Sequence, residues 1–180
     1  MAKKPYIIAL EEHYLDPEVK QLGGGPGAGR DIVERLDDLG ALRIREMDEA
    51  GIDLQVLSHS IPGLQAVDAE AGPPLARRTN DRLSEAVQRH PGRFSAFAVL
   101  PTANPRAAAD ELERAVTQLG FKGAMVNGMT NGAGGASAAD AALSTSVPSG
   151  STTTVQARVR YLKVSRMRPA SSSTPVSATL

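Results

Sequence analysis

The chain has no cysteine and no tryptophan. The first absence excludes a disulfide framework, a thiolate metal site and a cysteine nucleophile. Its aromatics, three Tyr and three Phe in 180 residues, are thin for a well-packed core of this size. No apolar run approaches transmembrane length. The run at 7–10 that follows Lys3 and Lys4 is too short for a signal-peptide core. A cytoplasmic protein that engages no membrane is the expectation. An excess of one charge is missing as well: 20 basic residues stand against 20 acidic ones. No overall field pulls the chain toward nucleic acid or an acidic surface.

The even balance conceals a seam. Residues 1–132 contain 15 basic and 19 acidic residues, whereas 133–180 contain Arg158, Arg160, Lys163, Arg166 and Arg168 against Asp140 alone. The second stretch has 16 Ser or Thr among its 48 residues and Tyr161 as its one aromatic. It cannot bury enough apolar surface to offset the entropy of ordering, so residues 133–180 are expected to be a largely disordered, Ser/Thr-rich tail. Its five basic residues lack interleaved aromatics and read as a solvated segment rather than a nucleic-acid site.

What is present before the seam is an alternation. Apolar runs at 5–10, 53–58, 94–100 and 121–127 are of a length and bounding that suit strands buried on both faces of a parallel sheet. Helical spacing fills the gaps. Leu36, Leu39, Leu42 or Arg43, and Met47 recur every three or four residues, with Gly51 placed to close the segment. Leu75, Thr79, Leu83 and Val87 form a second stripe, stopped by Pro91-Gly92. Asn104-Pro105 is an N-cap with proline at the first helical position, and Ala108, Leu112, Ala115, Val116 and Leu119 follow on one face. Repeated βα units call for a parallel sheet with right-handed crossovers, either a (β/α) barrel or a doubly wound sheet. Strand starts near 6, 53, 94 and 121 imply a mean of about 38 residues per unit. Eight such units would need on the order of 300 residues. The four visible here are half of a barrel.

The residues most able to do chemistry are Glu11-Glu12-His13, at the end of the first strand. Alternation in a regular strand places Glu11 and His13 on one face and Glu12 on the other. At the carboxyl end of a barrel strand that face looks into the mouth, where a carboxylate and an imidazole make half of a Zn²⁺ or Mn²⁺ site. On the tripeptide alone, a strand-end histidine paired with an acid is the plainer account.

The wider context favours the metal. The segment 8–14 (Ile-Ala-Leu-Glu-Glu-His-Tyr) resembles the opening of the amidohydrolase-related decarboxylases, the family of γ-resorcylate and 2,3-dihydroxybenzoate decarboxylases. The resemblance continues through 43–52 (Arg-Ile-Arg-Glu-Met-Asp-Glu-Ala-Gly-Ile), 55–58, 62–65, Asn80-Asp81, 91–94, 97–101, 108–112 and 120–128. It covers residues 5–132 and implies the amino-terminal half of a (β/α)₈ barrel. Glu11 and His13 match the family's first-strand metal ligands. What the resemblance further implies is non-oxidative decarboxylation of a hydroxylated aromatic carboxylic acid with a divalent metal, Zn or Mn, and no organic cofactor. It also implies a homo-oligomer for intact family members.

After Gly132 the resemblance stops. The family continues to a fifth strand ending in a metal-binding His and to a later Asp ligand and catalytic His; here no His follows His90. An altered reading frame or a truncated paralogue is the expected origin of the switch, and a non-catalytic barrel fragment is one outcome. A metal-dependent hydrolase of an ester, lactone or amide is a rival that uses the same half-site. His59, ending the second strand, and Asn127, ending the fourth, are candidates to contact substrate. His90, beside Pro91, reads as a structural helix-end residue. The glycine-rich stretch 22–30 lacks the Lys-Ser/Thr of a phosphate loop, and Pro26 removes one of its N–H donors; it reads as a flexible loop over the mouth.

Overall fold

The computed structural model describes residues 4–22, 29–126, 129–130 and 133–134. Strands β1 (Ile8–Tyr14), β2 (Leu54–His59) and β3 (Phe94–Ala96) form a parallel sheet in that order. The fourth apolar run lies along β3. Lys122 N–H donates to Ala96 O at 2.9 Å and Ala98 N–H to Gly123 O at 2.8 Å. Between β1 and β2 come helices α1 (Pro17–Gln21), α2 (Arg30–Asp37) and α3 (Ala41–Ala50). Helix α4 (Gly72–Arg89) joins β2 to β3, and α5 (Pro105–Thr117) leads to the fourth run. The expected succession of strand and helix is therefore present, with each parallel pair bridged by helix. A two-residue antiparallel pair, β4 (Met129–Thr130) and β5 (Ala133–Gly134), straddles the compositional seam at Gly132. The expected tail otherwise lies outside the described residues, as do 23–28 of the glycine-rich stretch.

Element boundaries depart from expectation in three places. The apolar spacing over 36–47 predicts one helix, but the chain breaks between α2 and α3. There Asp38 Oδ1 accepts from Gly40 N–H at 3.0 Å and Arg43 N–H at 2.9 Å, at the start of α3. Gly51 closes α3 as expected, in the left-handed region at φ 70°. A short helix, α1, has no counterpart in the apolar spacing; Asp16 starts it, accepting from Glu18 N–H and Val19 N–H, with Pro17 at the first position. The third strand is expected over 94–100 yet ladders only to Ala96. Beyond that point Val99 pairs with a side chain. Asn80, fully buried on α4, accepts from Val99 N–H and donates to Val99 O, both at 3.0 Å.

The main core lies between the sheet and its helices: Tyr14 and Leu57 from the strands meet Met47 of α3, Leu83 of α4 and Leu112 of α5. Four of the few aromatics, Tyr14, Phe94, Phe97 and Phe121, are buried. Tyr14 is the exception to good polar accounting. Its ring meets His59 edge-on at 5.1 Å, its hydroxyl has no hydrogen-bond partner among the described residues, and burial pushes its pKa up. Tyr14→Phe should therefore raise stability, by about 1 kcal/mol, because it removes an unsatisfied buried hydroxyl and keeps the ring. Urea unfolding measures this; a clear loss of stability would mean the hydroxyl is satisfied.

Candidate metal site at the end of the first strand

The face taken by each residue of Glu11-Glu12-His13 is set by an irregularity in β1. Ala9 pairs with Gln55 and Glu12 pairs with Leu57, so two residues, Leu10 and Glu11, stand opposite Val56 alone. This is a β-bulge, and its extra residue, Glu11, has φ 62°, a left-handed conformation uncommon outside glycine. An extra residue reverses the alternation that follows it. Counted without the bulge, His13 would share Ala9's face. With it, Glu12 shares the face of Gln55 and Leu57, which is the helix side, and His13 takes the face of Ser58. The simple alternation argument that joined Glu11 to His13 is thus corrected. His13 reaches the inner face because of the bulge, and Glu11 is the bulge residue itself.

The side-chain contacts agree with this parity. On the helix side, Gln55 Nε2 donates to Glu12 Oε2 at 3.0 Å. Arg43 of α3, 8% exposed, donates to Gln55 Oε1 at 3.3 Å, to His13 O at 2.8 Å and to Asp38 O at 2.8 Å. Burial lowers the pKa of Arg43, while the Glu12, Asp38 and Glu46 carboxylates oppose that shift. A buried cation thus holds the carbonyl of His13 and, through Gln55, the carboxylate of Glu12. On the inner side, His13 Nδ1 lies 3.0 Å from the hydroxyl of Ser58, which is fully buried. Among the described residues, His13 Nε2 has no partner, and neither has the exposed carboxylate of Glu11.

An anchored imidazole with its far nitrogen free and, two residues before it in the chain, a free carboxylate are donor types suited to a divalent ion. It is half a site. No group of three or more His, Cys, Asp or Glu able to hold a metal occurs among the described residues.

His59 stands at the end of β2 and lines a shallow cleft with Leu64, Gln65, Thr102, Met125 and Val126. Both of its ring nitrogens are engaged: Nδ1 with Ser60 O at 2.7 Å and Nε2 with Asp16 N–H at 3.1 Å. The ring is therefore neutral with its proton on Nδ1. Asp16 is held in turn by Arg82 of α4, through contacts of 2.8 and 2.7 Å. Burial lowers the pKa of His59 from 6.5, against the raising effects of the Ser60 carbonyl and Asp16. The unfolded chain then takes up this proton first on acidification. Stability is complete above the unfolded value and declines as pH falls through the lower folded one. Unfolding midpoints in urea at about pH 7.5 and 5.5 should fall less for His59→Asn than for the parent chain; equal falls would contradict the assignment.

Of the other candidates, His90 caps α4 and packs edge-on against Phe94 at 5.3 Å, a structural placement. Asn127 lies outside the described residues. Arg43, Gln55 and Ser58 escaped the sequence argument as site residues. The available signal was two further polar residues of opposite parity, Gln55 and Ser58, in a strand that is apolar apart from them and His59.

Comparison with known proteins adds the following. Residues 12–146 match the family described as amidohydrolase. The γ-resorcylate decarboxylase of Rhodococcus jostii (strain RHA1) is 45% identical over 130 residues, which are 70% of this chain and 40% of that protein. The crystal structure of a dihydroxybenzoic acid decarboxylase from Polaromonas sp. JS666, with bound manganese and the inhibitor 2-nitroresorcinol, superimposes with a TM-score of 0.63 at 44% identity. That match covers 68% of this chain and 38% of the other. A 2,6-dihydroxybenzoate decarboxylase from Rhizobium superimposes with a TM-score of 0.65 at 40% identity, over 72% and 41% of the two chains. This chain spans about two fifths of the length of these relatives.

Proposed function

We infer the function from the premise that this chain belongs to the amidohydrolase family, and that its sheet is the amino-terminal part of a (β/α)₈ barrel. It serves, on this reading, as the first half of a metal-dependent, non-oxidative decarboxylase of a hydroxylated aromatic carboxylic acid, of the 2,6-dihydroxybenzoate type. The observation that carries it is the anchored His13 with a free Nε2, near the carboxyl end of β1 where barrel enzymes place their chemistry, with the unpaired Glu11 two residues before it.

Glu11 and His13 would hold the divalent ion. Mn²⁺ is favoured over Zn²⁺ by the hard carboxylate ligand and by the manganese in the Polaromonas enzyme. When bound, the ion supplies a Lewis acid and a template for the substrate's carboxylate and neighbouring hydroxyl. Leu64, Val99 and Val126 give the small cleft beside His59 an apolar wall, and the cleft is lined by neither Glu11 nor His13. His59 is a candidate to contact substrate through the carbon edge of its imidazole, both nitrogens being engaged. Asn127 is the other candidate to contact substrate. An acid on the later strands would protonate the ring carbon that bears the carboxylate, and CO₂ would then leave, without an organic cofactor.

A hydrolase would use the same two ligands, but decarboxylases among the relatives favour CO₂ release over attack by water. A cytoplasmic location, a homo-oligomeric state for the intact barrel and a separate Ser/Thr-rich segment over 133–180 complete the reading. No described helix is long and apolar enough to cross a membrane.

The test is a chimera in which residues 5–126 replace the matching part of the Rhodococcus enzyme. With Mn²⁺ it should release CO₂ from 2,6-dihydroxybenzoate, and His13→Ala should lower the rate by about a thousandfold. Ester or lactone hydrolysis without CO₂ release would establish the rival.

A further inference from the structure

We propose that Ser58 is the positioning residue of the half-site. Its hydroxyl accepts the Nδ1–H of His13 and so keeps the lone pair of Nε2 available to the divalent ion. The inference rests on the reading that Glu11 and His13 hold that ion.

Ser58 and His13 are direct neighbours in the parallel register of β1 and β2, and the bulge at Glu11 brings them to one face. The hydroxyl is fully buried, and His13 is its one side-chain partner among the described residues, at 3.0 Å. The other polar side chains of β2 are committed elsewhere: Gln55 to Glu12 and Arg43, His59 to Ser60 and Asp16. Nothing else described therefore fixes the His13 ring. A histidine binds metal through a nitrogen that carries no proton, and the partner of its other nitrogen selects that tautomer and holds the ring plane. A hydroxyl can accept or donate. Only the accepting arrangement leaves Nε2 free, and it is the one assigned here. Arg43 complements it from the opposite side by holding the His13 carbonyl, so the ligand is pinned at both backbone and ring.

The chain contains three histidines, so ring ¹⁵N spectra of the full chain resolve each one. At about pH 8, above the usual imidazole range, metal-free His13 should show its proton on Nδ1. In Ser58→Ala that preference should disappear, and Ser58→Thr, which keeps the hydroxyl, should restore it. His59, fixed by Ser60 and Asp16, serves as the internal control: its signals should be unchanged in Ser58→Ala if the fold is intact. Titration with Mn²⁺ should broaden His13 before His59 or His90. The concentration needed should rise about 10- to 100-fold in Ser58→Ala. A His13 proton on Nε2 in the parent chain, or an unchanged tautomer and Mn²⁺ response in Ser58→Ala, overturns the role of Ser58 alone. If Mn²⁺ leaves His13 sharp in the parent chain, or broadens it equally in Glu11→Gln, the metal half-site itself falls.

Discussion

Glu11→Gln and Glu12→Gln, one residue apart, should differ by about tenfold or more in Mn²⁺-dependent CO₂ release from the chimeric barrel. Loss of an outer-shell partner of a metal ligand costs about 10- to 100-fold, so loss of a charged ligand should cost no less. Glu11 has a free carboxylate beside the ligand histidine, and a glutamine in its place would carry neither the charge nor the basicity. Glu12 is turned to the helix side and accepts one hydrogen bond from Gln55. A glutamine there still offers a carbonyl oxygen to Gln55, so activity should stay within about fivefold and the main effect should be on stability. The contrast depends on the bulge. Were β1 regular after Ala9, Glu12 would share the inner face with Leu10, and Glu12→Gln would be the damaging change. Rates from the two variants, each with its metal affinity, decide between these arrangements.

The second large effect is expected at Asn80, remote from the metal. Asn80→Ala should destabilise the chain by about 3–5 kcal/mol, a large share of the roughly 5–15 kcal/mol that holds a typical domain. Its amide completes the backbone pairing of Val99 in place of a strand and also donates to Glu111 Oε1 at 2.8 Å. Removal leaves the N–H and C=O of Val99 unpaired at 7% exposure, and takes a donor from a buried carboxylate that Arg114 then holds alone. Asn80→Asp should do little better: it keeps the acceptor for Val99 N–H but sets a carboxylate against Val99 O and Glu111. Urea unfolding of both variants measures the loss. A change below about 1 kcal/mol would show that water replaces the amide and that the network is dispensable.

Much of this protein was legible without coordinates, for reasons that are local. Asn104-Pro105 begins α5 because an asparagine side chain caps its own helix within three residues, and Ala107 N–H does donate to it. Gly51 ends α3 because a left-handed residue is needed there and glycine takes that conformation freely. The parallel sheet was legible too, since buried strands and helical stripes alternate at crossover lengths.

Other features were decided by contacts between segments distant in sequence. The break between α2 and α3 is the local exception, Asp38 accepting from the start of α3 two and five residues on, against a hydrophobic spacing that runs on without a gap. The early end of β3 turns on Asn80, 19 residues from Val99. The facing of His13 turns on a bulge that exists only relative to β2, with Arg43 and Ser58 holding its two sides from 30 and 45 residues away. Spacing along a chain can specify which residues share a face while the strand stays regular. Where one extra residue enters a strand, the partners across the sheet choose its place, and here they decide that His13 turns inward and Glu12 turns toward the helices.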